Sequence, residues 1–233
     1  IPDKPEAVGP ISPIYLDPEL LKVPSLALEA VRRELARAND IVLSMFTHLQ
    51  SAFVRGNIER IHALIKDDDM IDTLEAACIN YLGKIRQQEL SEKQSQEHKA
   101  LMVSTVAIEN LADIIETDMV ELSEQAFELK HQGSPETEKM VFELYLIVNH
   151  AIDLLTDVLR HKNQEHARSI YRYNRLIKSQ QRALMERKSD RLGDEDIDAL
   201  KMARLQISVS EKLVRMYGLV KRITAEHLER RRR

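Results

Sequence analysis

An all-α bundle of six helices is the fold this sequence predicts, and three observations carry the prediction. Of its 233 residues, 43% are hydrophobic and 31% charged, but only 4% are aromatic. Glycines number six and prolines seven, too few for the many turns of a sandwich or barrel. Six of the seven prolines lie at positions 2 to 24, and only Pro135 comes later. The rest of the chain is free to form long helices, and its hydrophobic fraction excludes disorder.

Residues 1–25 read as an extended linker or arm, because proline removes amide donors and restricts the residue before it. Its Ile11, Ile14, Tyr15, Leu20 and Leu21 are able to dock on a bundle. Ser25 is the expected N-cap of a first helix that runs to about Arg55, where Gly56 and Asn57 break it. A second helix covers Ile58 to Gln88, and a third starts near Ser91 and ends at Gly133. Ser134-Pro135-Glu136-Thr137-Glu138 restarts the chain with a cap serine, proline at the first helical position and acids in the first turn. That fourth helix ends near His161. Asn163 caps a fifth helix that stops around Leu192-Gly193, and Asp194 caps a sixth that reaches the terminal arginines.

Three helices, a Gly-Ser-Pro joint and three more helices imply a duplication, with repeat one at 26–133 and repeat two at 134–233 of a bundle spanning 26–233. Aligning Asn57 with Asn163 gives an offset of 106 residues that places Leu64 over Ile170 and Ile71 over Ile177. The apolar phase is kept although few residues are identical.

The net charge of −4 conceals a division. Residues 1–133 carry 13 basic and 23 acidic side chains, whereas residues 134–233 carry 21 and 15. The most membrane-like stretch, Met140 to Leu155, is interrupted by Glu143, His150 and Asp153, so no span is expected within the chain. The single Cys78 forbids an internal disulfide and suits a reducing compartment. A chain that begins at Ile1, without a signal-peptide pattern, is expected to be a fragment of a longer protein.

The chemistry lies in acids that interrupt apolar stripes. On the second helix the stripe Ile61, Leu64, Asp68, Ile71, Glu75, Cys78, Leu82, Ile85 includes two acids, and Asp72 borders it. On the third, the row Met102, Val106, Glu109, Asp113, Glu116, Val120 has three acids in its middle. Carboxylates in a core need a cation or an opening. Acids spaced i, i+4 on facing helices are how bundles bind hard or borderline cations. The expected set is Asp68, Asp72, Glu109 and Asp113, with Glu75 and Glu116 as further ligands, and it suits iron, zinc, manganese, calcium or magnesium. The competing reading is a solvated acidic face with lysine partners.

Repeat two lacks most of these acids. Asp68, Asp72 and Glu75 align with Asn174, Lys178 and Gln181; at an offset of 102, Glu109, Asp113 and Glu116 align with Glu211, Arg215 and Gly218. One metal site is therefore expected, in repeat one, with an ion-pair cluster of Glu211, Arg215 and Lys178 in its place in repeat two.

The D-x-x-I-D pattern at Asp68–Asp72, the E-x-x-x-D pattern at Glu109–Asp113 and the repeated three-helix topology resemble the PhoU family. The resemblance covers about residues 26–230. It implies an α-helical regulator of phosphate uptake whose acidic motifs hold a metal ion or multinuclear cluster, often of iron or zinc. The arm, with Pro13-Ile14-Tyr15-Leu16-Asp17 and Val23-Pro24-Ser25-Leu26-Ala27-Leu28, is similar to the segment that joins membrane and PhoU-like parts in bacterial sodium/phosphate cotransporters. This implies a non-enzymatic cytoplasmic domain at the inner membrane, partnered by the transporter's own membrane domain. Lys178 and Arg215 depart from the family pattern.

Other function classes fit less well. A ferritin-like di-metal protein needs Glu-x-x-His on two helices; Glu59-Arg60-Ile61-His62 matches, but the aligned Glu165-His166-Ala167-Arg168 does not. Cys78 sits in the apolar stripe as packing. The acidic total and the lack of interleaved aromatics argue against nucleic acid, despite the run Arg230–Arg233. The basic second half is a candidate contact for anionic lipid, and a second copy of the chain is a further candidate partner. A metal-free helical scaffold is the alternative.

Overall fold

Each expected helix forms. The computed structural model describes residues 12–62, 65–129, 134–191 and 197–228. Helix α1 covers Pro24–Val54, α2 Ile58–His62, α3 Ile65–Arg86, α4 Glu92–Asp113, α5 Val120–Glu128, α6 Pro135–His161, α7 Gln164–Arg191 and α8 Ile197–His227. The second expected helix appears as α2 and α3. The third is α4 continued through a π turn at Ile114–Met119 into α5. The described residues are entirely helix, turn and loop, and none of their helices is long and apolar enough to cross a membrane.

Caps set the boundaries. Asn57 Oδ1 accepts from Arg60 N, Ser91 and Gln94 form a reciprocal capping box, and Ser134 Oγ accepts from Thr137 N. Asn163 Oδ1 accepts from both Glu165 N and His166 N. Gly56, at φ +65°, takes the left-handed turn that ends α1. Ser25 is not the cap of α1. The helix starts at Pro24, and Val23 precedes it without a side-chain bond. Proline lacks the amide hydrogen and has a φ preset for the first helical position, so it claims that position itself. Asp194, Gly133 and the terminal arginines lie outside the described residues.

α1, α3 and α4 pack pairwise against one another, and α6, α7 and α8 do the same; α1 against α6 and α4 against α8 join the two groups. One apolar core runs through both groups, from Leu28, Phe46, Ile71 and Ile108 to Leu155, Ile177 and Met216. Its α1–α6 seam is keyed by buried polar groups. Asn39 Nδ2 donates to the Ile152 carbonyl at 2.8 Å and to Thr156 Oγ1 at 2.9 Å. Arg32, 4% exposed, donates through Nη1 to the carbonyls of Leu159 and Arg160 at 2.9 and 2.8 Å. It thereby satisfies carbonyls that the end of α6 leaves unpaired.

The arm is docked rather than loose from Ser12 onward. The amides of Ile14 and Tyr15 donate to Oε2 of Glu34 at 2.9 and 2.8 Å. Glu34 is fully buried and also pairs with Arg37 at 2.5 Å. Tyr81 and Gln88 of the α3 end bond the carbonyls of Asp17 and Leu21. Leu16 and Leu21 pack on the core, whereas Ile14 and Tyr15 stay exposed. A 3-10 turn at Pro18–Lys22 replaces the extended chain expected there.

Candidate functional site

The acidic face is built by α3, α4 and the π turn. Across α2 and α3 the apolar stripe is buried as expected, with Ile61, Ile71, Cys78, Leu82 and Ile85 at most 1% exposed. Asp72 points outward and Glu75 is half-buried at the edge. The side chain of Asp68 lies outside the described residues. In α4 the expected stripe is wrong by one residue. The buried row is Leu101, Thr105, Ile108, Ala112, Ile115, Met119. The row with the acids is the next one round, a turn of about 100° away. On it Asp113 is exposed, and Glu109 and Glu116 are half-buried. The acids therefore rim an opening and are not carboxylates in a core. α4 packs against α1, α3 and α8 at once, so apolar residues occupy two adjacent rows and the sequence alone does not say which is central.

The face is electrostatically strained. Burial, followed by the charges of Asp72 and Asp113, raises the pKa of the Glu75 carboxyl. Asp72 belongs to α3 and Asp113 to α4, so Glu75 feels an acid from each of the two helices. Among the described residues, no Lys or Arg pairs with Asp72, Glu75 or Asp113. Glu109 Oε2 accepts from Asn110 Nδ2 at 2.8 Å, and Glu116 Oε2 accepts from Thr117 Oγ1 at 2.6 Å. Asp72, Glu75 and Asp113 thus offer carboxylate oxygens alone, a donor set that fits a hard or borderline cation. Among the described residues, no three acids, histidines or cysteines are already closed into a ligating group.

The aligned face of repeat two differs. Lys221 Nζ donates to Asn174 Oδ1 at 3.2 Å, and Lys178 is exposed. The expected Glu211–Arg215–Lys178 cluster does not form. Arg215 instead lies 3.9 Å, and Lys212 2.7 Å, from Asp118 in the π turn of the first half. The extra residue that a π turn inserts changes the helical phase of the residues after it, and places Asp118 toward α8. The sequence carried no signal of this turn.

Two buried groups gain a setting that the sequence did not predict. Cys78 was expected as packing, and burial, with the nearby Glu34 and Glu75 charges, pushes its thiol up to about 12, so it stays an unreactive thiol. His227 is pushed down to about 4 by burial and by Arg32, against the opposing pull of Glu97. Ser104 Oγ, which donates to the Ala100 carbonyl, lies 2.9 Å from His227 Nε2. Glu34, a charge fully buried in α1 two residues from Arg32, was visible in the sequence as an acid amid Leu35, Ala36 and Val31 on the buried side.

Comparison with known proteins points one way. Residues 35–133 match the PhoU domain family. The putative inorganic phosphate export protein YjbB of Salmonella typhimurium is 24% identical over 219 residues, as is that of Escherichia coli strain K12. The alignment takes in 94% of this chain but only 40% of those relatives' length. The crystal structure of PhoU from Pseudomonas aeruginosa superposes with a TM-score of 0.78 at 16% identity, covering 87% of this chain and 96% of that one. The phosphate transport system regulatory protein PhoU from Streptococcus pneumoniae gives 0.76 at 14% identity, over 88% and 94%. The match to the PhoU domain family is confined to the first half, and the described residues take the fold of the PhoU structures.

Proposed function

We propose that this PhoU-like bundle is the regulatory, non-enzymatic part of a phosphate transporter of the sodium/phosphate type, held at the cytoplasmic face of the inner membrane. The observation that supports the reading is the alignment of nearly the whole chain with less than half of a protein named as a putative inorganic phosphate export protein, together with the match of residues 35–133 to the PhoU domain family. The relatives' name favours export as the regulated direction over the uptake that the family resemblance implies. The transporter's own membrane part is the partner in this reading, reached through the arm. The arm docks on Glu34 of α1 and on Tyr81 and Gln88 of α3, so a change in the bundle alters the anchorage of the chain that leads out of it.

The acids of the first half hold the metal in this reading: Asp68, Asp72, Glu109 and Asp113, with Glu75 and Glu116 close by. A bound cation would supply a countercharge and fix α3 against α4. The raised pKa of Glu75 supports a site that lacks that charge. Regulation then requires only that two bundle states bind the cation or a partner unequally. The basic second half faces anionic lipid or the transporter, and a second copy of the chain is a further partner.

Radiolabelled phosphate flux tests the reading in cells carrying the full transporter, with or without this bundle. Removal should abolish the dependence of flux on cell phosphate while transport itself persists. Unchanged control after removal would refute it. A metal-free scaffold is the second reading, favoured by the lack of a closed ligand group among the described residues. In that case chelation leaves thermal stability unchanged, whereas a metal site makes it fall.

A further inference from the structure

About 25 Å along α1 from Glu34, a cavity of about 330 Å³ opens where the end of α1, α5, the start of α6 and α8 converge. Leu49, Phe53, Leu122, Phe142, Leu205 and Leu213 form much of its wall. Met119 and Met202 add unbranched side chains that adapt to different shapes. The apolar surface continues beyond the opening, where Phe142 is 45% and Val54 70% exposed.

Its polar groups are few, and two of them are used within the fold: Ser123 Oγ donates to the Met119 carbonyl and the Tyr145 hydroxyl to that of Phe46. Gln206 lines the cavity, is only 7% exposed and adds a polar amide to a mostly apolar wall. Glu138 is the one charged residue among the described residues of the lining, and no Lys or Arg pairs with it there. On one side the flank has the same sign: α5 carries Glu121, Glu124 and Glu128 with neither lysine nor arginine, and α6 opens with Glu136 and Glu138 ahead of Lys139, while the α8 side carries Lys201 and Arg204.

We infer that this cavity docks a basic amphipathic helix of a partner protein. Apolar side chains at i, i+3 and i+4 enter it, a Lys or Arg meets Glu138, and a polar group meets Gln206. The volume is at the small end for ligand cavities, enough for a few anchoring side chains. Glu138 and the glutamates of α5 disfavour an anionic headgroup on their side of the opening. The apolar strip running past the opening to Val54 is longer than a small molecule needs.

Fluorescence anisotropy on the full chain tests this with two labelled helical peptides of about 18 residues, five turns of helix. Both carry the same leucine face, and the remaining positions are lysine in one and glutamate in the other. The lysine peptide should bind at least tenfold more tightly. Ala126→Phe, which fills the cavity, should weaken it at least tenfold, and Glu138→Lys at least fivefold. Glu138 is exposed, so that variant folds even where the first does not. Asp153→Asn, an exposed acid about 20 Å along α6 from Glu138, should leave binding unchanged. Equal affinity of the two peptides, or binding indifferent to both cavity variants, overturns the inference. So does a dimer in sedimentation that Ala126→Phe dissociates, because the occupant is then a second copy. Binding of decyltrimethylammonium at the cavity without binding of the peptide overturns it too.

Discussion

The α3–α4 face of the first half and the α7–α8 face of the second rest on the same buried stripe but carry opposite charge. Ile71 and its aligned Ile177 are both nearly inaccessible, at 1% and 2%. Outside the stripe, Asp72, Glu75 and Asp113 stand together with no cationic side chain paired to them among the described residues, while Lys221 bonds Asn174 and Arg215 reaches across to Asp118. The difference shows that packing constrains the stripe in both halves, whereas the rim is free to differ. Chemistry can be placed on the rim of one half without disturbing the shared scaffold.

The largest expected effect is one that should be equal in the two halves. Ile71→Ala and Ile177→Ala should each cost about 2–5 kcal/mol in chemical denaturation, from lost transfer and the cavity left behind. A cost below about 1 kcal/mol at either position would break the equivalence of the stripes.

The seam between the halves should fail next, on acidification. His227 in α8 packs on Ser104 of α4, and its pKa falls from 6.5 to about 4 on folding. The unfolded chain therefore binds a proton that the folded chain refuses between those values. Stability is complete above pH 6.5 and is lost as pH falls toward 4, by about 3 kcal/mol. His227→Gln should flatten that part of the pH profile; an unchanged slope would remove His227 as its cause.

A smaller effect should differ in sign between the halves and with cation. The raised Glu75 carboxyl opposes folding as pH rises through its folded pKa, so Glu75→Gln should raise the melting temperature at neutral pH without divalent cation. With the cation bound, the same change should lower it. Gln181→Glu in the second half should gain no cation response, and a response there would end the asymmetry. The smallest effect belongs to the bridge between the halves. Lys212 and Asp118 are partly exposed, at 30% and 27%, so Lys212→Ala should cost under about 1 kcal/mol.

Helix starts and stops were legible because caps act through neighbours in sequence. Asn57, Ser91, Ser134 and Asn163 each bond an amide two or three residues on. The α3 stripe was legible because one apolar row dominates it. The α4 stripe was misplaced by one residue because three helices cover that helix, and two rows compete. The acids were legible in the sequence but their depth was not: Asp113 is exposed where a core position was expected, and Asp72, expected at the border of its stripe, is exposed too.

The sequence by itself determined the helices, the arm's prolines and the division of charge, all of which depend on residues a turn or less apart or on simple counts. Only the tertiary structure decided that Arg32 would close the end of α6, that Glu34 would hold the arm, and that the π turn would hand Asp118 to α8. Each of these joins side chains to groups 19 to 128 residues away, and a buried charge finds its partner through the packing of whole helices. Local rules carry no information about that distance.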